Sequence, residues 1–141
     1  LKKAGADLAK EGAIKVITLQ VSGAFHSPLM KEASERLAQE LKGYEIKTPK
    51  IDIVSNVTAK PANTVEVIKE NLIRQVASSV LWQDSIGYMI KSGVSMFIEM
   101  GPGKVLKGLL KRIDSSALVC NIENFKDVES TVEQAVNFAC A

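Results

Sequence analysis

Residues 94–122 constrain the fold more than any other stretch of this chain. "VSMFIEM" (94–100) is a short apolar run of strand type, and "GPGK" (101–104) is a tight turn with two glycines around a proline. "VLKGLLKRI" (105–113) reads as a helix with Val105, Leu106, Leu109, Leu110 and Ile113 as its apolar residues, and "ALVCNI" (117–122) as a second strand. A strand that reaches its neighbour through a helix has crossed over the sheet, so the two strands run parallel, and parallel sheets are covered by helices. The expected fold class is α/β.

The flanking sequence fits that class. "LKKAGADLAKEG" is expected to be a helix with Leu1, Ala4 and Leu8 at helical spacing and Gly12 as its stop, followed by a strand over "AIKVITLQV" (13–21). Ser27-Pro28 is a helix entry, and Leu29, Ala33, Leu37 and Leu41 give that helix an apolar stripe to about Lys42. "KIDIVSN" (50–56) is a short strand running into a polar turn at Ser55-Asn56. Asn63 and Glu66 predict an N-cap with its reciprocal acid, opening a helix whose stripe is Val65, Ile68, Leu72 and Val76. A helix from Trp82 to Ser92 stops at Gly93, and "VESTVEQAVNFA" closes the chain as a helix. Met89, Met96 and Met100 are expected in the core.

Composition excludes several classes. Eighteen basic and sixteen acidic residues are interspersed, for a net charge of +2, which leaves no nucleic-acid footprint. No apolar run is long enough for a membrane helix, and no signal-peptide pattern opens the chain. Cys120 and Cys140 stand alone, with no metal-ligand spacing, so no metal is expected; two buried thiols point to a reducing compartment, the cytoplasm. The chain opens without Met on a helix-type run, so it is read as the C-terminal part of something longer.

The chemistry centres on "VSGAFHSPLM" (21–30), which holds the only histidine. His26 lies in a loop after a strand and before a helix, where functional side chains are often presented. It is either a general base or an ordinary loop residue. No G-x-S-x-G elbow exists here and neither cysteine has the context of a thiol nucleophile, so a base would need a partner outside this chain. "EMGPGKVLKGLLKR" (99–112) suggests an anion site at a helix N-terminus beside Lys104, against the plainer reading of a βα turn in which Gly101 and Gly103 supply unusual backbone angles. Lys104, Lys107, Lys111 and Arg112 read as a solvated face.

Taken together, "VSGAFHSPLM" (21–30), "IVSNVTA" (53–59), "LIRQV" (72–76) with "VLWQDSI" (80–86), and "FIEMGPGKVLKGLLKRI" (97–113) resemble the C-terminal portion of the malonyl-CoA:acyl-carrier-protein transacylases of fatty-acid synthesis. The acyltransferase domains of polyketide synthases share the pattern. The resemblance covers nearly the whole chain. It implies that His26 deprotonates a nucleophilic serine and later activates the carrier thiol, and that the backbone carbonyl of Gln75 orients it where a triad would use a carboxylate. It implies that Phe25 helps set extender-unit choice in favour of malonyl, and that Ser22 and Asn56 lie near the cleft. Lys15 and Lys104 become candidate contacts for an acidic carrier protein.

The same resemblance implies an α/β-hydrolase-like core with a ferredoxin-like insert. Residues 1–20 would be the insert's last helix and strand, and 21–141 the return into the large subdomain. The family's serine elbow, its oxyanion-hole segment and its malonyl-gripping arginine are not in this chain, so the missing N-terminal part of the enzyme is a required partner. Malonyl-CoA and acyl carrier protein are the other implied partners, with no cofactor, and this chain alone would be inactive. Two alternatives stay open: an acyltransferase domain of a polyketide synthase, and a non-catalytic α/β binding module in which His26 is incidental.

Overall fold

The computed structural model describes residues 2–17, 21 and 23–139. Its element order is α1 (Lys2–Lys10), a 3₁₀ turn at Pro28–Met30, α2 (Lys31–Glu40), a 3₁₀ turn at Leu41–Gly43, β1 (Val54–Ser55), β2 (Lys60–Pro61), α3 (Val65–Gln75), α4 (Trp82–Lys91), β3 (Met96–Met100), α5 (Val105–Ile113), β4 (Leu118–Ile122) and α6 (Lys126–Ala139). β3 and β4 pair in parallel, with Met96 opposite Leu118 and Met100 opposite Ile122, so the crossover read from residues 94–122 forms as expected. β1 and β2 make a small antiparallel hairpin, Val54 opposite Pro61.

Successive strand residues point to opposite faces. Phe97 and Val119 share a core with Ile86 of α4, Leu110 of α5 and Ala117, with Trp82, Met89, Ile90 and Ile113 packed against it. Cys120 points to the other face, where its buried thiol meets Gln134 of α6 at 3.5 Å. Helices thus cover both faces, as a parallel pair requires. α4 ends as read: the Gly93 N–H donates to Ile90 O and the Val94 N–H to Met89 O, a Schellman cap made possible by Gly93 at φ +94°.

Several expectations shift. The α3 cap is Thr64, whose side chain accepts from the Val67 N–H at 3.3 Å. Asn63 lies one residue too early, and Val67 then occupies the third helical position, so no reciprocal acid forms. The stripe of α3 is only half-buried; Asn71 is its buried residue, while Leu72 is exposed. Ser27 occupies the cap position at the Pro28 turn, but its hydroxyl turns back to Ala24 O at 2.7 Å. Leu29 is 83% exposed because it sits in that 3₁₀ turn and not on the stripe of α2. Met100 is 78% exposed at the end of β3, and in α5 only Leu110 is buried. Residues 13–17 form no strand, and Thr18, Leu19, Gln20 and Ser22 lie outside the described residues, as does Cys140.

Candidate functional site

The site is built on the C-terminal end of α3. The last carbonyls of a helix have no partner within it and must be satisfied from outside. Here the Ile73 carbonyl accepts from the Ser34 hydroxyl of α2 at 2.6 Å, and the Arg74 carbonyl from the Ala77 N–H at 3.2 Å. The next two are taken by one residue. His26 donates its backbone N–H to Val76 O at 3.2 Å, and its Nδ1 lies 2.9 Å from Gln75 O. The histidine loop is therefore fastened to the helix end twice, once through its backbone and once through its ring.

His26 adopts φ +61°, in the left-handed region that side chains other than glycine seldom enter. The double attachment holds it there. The carbonyl of Gln75 can only accept, so the 2.9 Å contact is a hydrogen bond when Nδ1 carries the proton, which is the tautomer that leaves the Nε2 lone pair free for a general base. The Gln75 side-chain Nε2 also lies 3.2 Å from Nδ1.

The other residues singled out by sequence fall as follows. Phe25 is 56% exposed beside His26, its ring lying over Gly23; a Cβ there would come within 3.3 Å of it. Asn56 is exposed in the turn after β1, its carbonyl accepting from the Leu81 N–H at 2.8 Å, and it lines with Gln75 a cavity of about 210 Å³ bounded by Ile53, Ser55, Ile68 and Asn71. Ser22 is outside the described residues. Lys15 is exposed after α1, and Lys104 sits at the start of α5 with its ammonium 4.0 Å from Glu123. No hydrogen bond among the described residues links either lysine to His26 or Gln75.

The glycine turn before α5 follows the plainer of its two readings. Gly101 and Gly103 take φ +132° and +86°. The N-terminus of α5 is already occupied, because the Glu99 carboxylate accepts from the Leu106 N–H at 3.0 Å and the Lys107 N–H at 2.9 Å. An anion of the chain's own thus fills the position a phosphate would take. Among the described residues no cluster of His, Cys, Asp or Glu could hold a metal ion. No described helix is long and apolar enough to cross a membrane. Sequence reasoning missed Ser34 and Val76, which help build the site. Their partners lie 39 and 50 residues away in the chain, and only packing brings them together.

What the fold and site define is an α/β chain with a parallel strand pair and a histidine oriented by a helix-terminal carbonyl. No protein-family model matches it. Its curated relatives are malonyl CoA-acyl carrier protein transacylases. The chain is 41% identical over 128 residues to that of Bacillus subtilis, covering 90% of this chain and 40% of the relative, and 41% identical over 118 residues to that of Staphylococcus aureus. Solved structures agree. An acyl-carrier-protein S-malonyltransferase from Burkholderia pseudomallei superposes with TM-score 0.87 at 36% identity, over 94% of this chain and 43% of that one. The transacylase from Clostridium perfringens gives 0.89 at 34% identity, over 99% and 44%. The chain thus spans about two-fifths of the length of the relatives it matches, in their C-terminal portion.

Proposed function

We propose that this chain is the histidine-bearing part of a malonyl-CoA:acyl-carrier-protein transacylase. The observation that carries the reading is the 2.9 Å contact of His26 Nδ1 with the Gln75 carbonyl, in a chain similar along most of its length to that family. In the complete enzyme a serine from the remaining segment attacks the malonyl thioester while His26 Nε2 takes the hydroxyl proton. The tetrahedral intermediate collapses, the C–S bond breaks, and His26 returns the proton to the departing coenzyme A thiolate. The carrier's phosphopantetheine thiol then gives its proton to His26 and attacks the acyl-serine ester; the serine C–O bond breaks, His26 returns the proton to the serine oxygen, and the carrier leaves with the malonyl group. A carbonyl orients the ring without adding a second negative charge near the malonate.

Phe25 bounds the acyl site in this reading, Asn56 and Ser22 line its approach, and Lys15 and Lys104 meet the acidic carrier. Residues 1–20 end a ferredoxin-like insert, and 21–141 complete an α/β-hydrolase-like core. The enzyme works without a cofactor. The free thiol of Cys120 supports a reducing, cytoplasmic setting. A second reading takes the carrier from polyketide synthesis; a type II polyketide acyl-carrier protein bound to its malonyl-transacylase is among the structural neighbours, at TM-score 0.88 and 32% identity.

Malonyl transfer to carrier protein by the full-length parent, with His26→Ala beside wild type, tests the proposal. A loss of about 10²-fold or more is expected, with no transfer by the 141-residue chain alone. Unchanged transfer in the variant would remove His26 from the mechanism and leave a non-catalytic module.

A further inference from the structure

His26 Nδ1 has two neighbours on Gln75, and they ask opposite things of it. The backbone carbonyl at 2.9 Å only accepts and requires Nδ1–H; the side-chain Nε2 at 3.2 Å only donates and requires a bare Nδ1. Both cannot be met together. A half-turn of the amide about χ3 puts Oε1 where Nε2 stood, and both oxygens of Gln75 then accept from Nδ1–H.

One turn earlier on α3, Asn71 is only 7% exposed and lines the same cavity as Gln75. Its amide forms no hydrogen bond among the described residues, so its Oδ1 is open to a donor from within the cavity. Residues four apart on a helix are neighbours, and Asn and Gln side chains at that spacing pair. With Oε1 turned to the ring, Gln75 Nε2 faces away from it and can donate to Asn71 Oδ1. A single amide rotation thus satisfies the ring and gives Asn71 a donor.

We infer that the Gln75 side chain, held by Asn71, is a positioning group for His26, a second acceptor that selects the Nδ1–H tautomer and steadies the imidazolium formed during transfer. The inference rests on the reading of His26 as the base but is separable from it, because the tautomer can be seen without turnover. His26 is the only histidine, so its ring is a single resolved signal in long-range ¹H–¹⁵N correlation spectra of the 141-residue chain, taken where the ring is neutral.

Wild type should show mainly Nδ1–H. Gln75→Leu should raise the Nε2–H fraction several-fold, and Gln75→Glu, which keeps an acceptor in place, should restore the wild-type pattern. Asn71→Leu should move the ring in the direction of Gln75→Leu. A ring that stays the same in Gln75→Leu, or a wild type that is mainly Nε2–H, overturns the inference. If Gln75→Leu does not fold, Asn71→Leu decides by the same criterion. Loss of transfer in His26→Ala together with an unmoved tautomer would leave the base standing and remove only the amide's role.

Discussion

At the scale of single residues, the site depends on a side chain held where its backbone is strained. A Cβ in the left-handed region costs about 1–2 kcal/mol relative to glycine. His26→Gly should therefore be more stable than His26→Ala by about 1 kcal/mol, read from urea midpoints, although both lose the ring. Gly93 offers a control without function: its φ is +94° and a Cβ there meets open space, so Gly93→Ala should cost about 1 kcal/mol from conformation alone. Asp114, after α5, tests pH dependence. Hydrogen bonds from the Ser116 hydroxyl and N–H hold its carboxyl below the usual 3.8, against slight desolvation. A lowered folded value contributes stability above the ordinary carboxylate pKa and loses it as pH falls through the folded value. Wild type should thus exceed Asp114→Asn in stability at pH 7, and the difference should vanish in strong acid.

At the scale of elements, helix ends do most of the organising. The C-terminus of α3 is completed by Ser34 and His26, and the N-terminus of α5 by Glu99. Ser34 is nearly buried, so Ser34→Ala should cost about 1 kcal/mol by leaving the Ile73 carbonyl without its donor, and a matched loss should appear in the urea midpoint. Because the same helix end carries Gln75, that variant should also loosen His26 and lower transfer in the full-length parent. Little of this was visible in the chain's one-dimensional order. The turn before α5 could be read as an anion site because its glycines and Lys104 suit one. Nothing in the spacing indicated that Glu99, seven residues before Leu106, would turn back and fill it.

At the scale of the whole molecule, the accessible surface is 10914 Å² for 15.3 kDa. A self-contained monomer of that mass exposes roughly 7,000 Å² by the usual surface–mass scaling. Exposed large apolar side chains contribute to it: Ile98 and Met100 on β3, Val105 on α5, and Ile14 and Ile17 after α1 are all exposed. A surface of that kind marks an interaction face, which suits a chain that spans two-fifths of its relatives. The isolated chain should self-associate or bind a hydrophobic dye, and co-expression with the remaining segment should suppress both, as sedimentation and dye fluorescence would report. An isolated chain that is monomeric and dye-silent would favour the independent binding module.

The sequence by itself determined the parallel strand pair, the helices around it, the stop at Gly93 and the singling out of His26, because each depends on local periodicity, turn chemistry or residue type within a few positions. It also carried the pairing of His26 with Gln75, though through resemblance and not through spacing. Tertiary structure decided what the helix ends bind, which apolar residues stay exposed and how tightly the histidine loop is held. Those outcomes depend on helix-end carbonyls that no residue type announces, brought within 3 Å of the His26 ring and the Ser34 hydroxyl across 49 and 39 residues of chain.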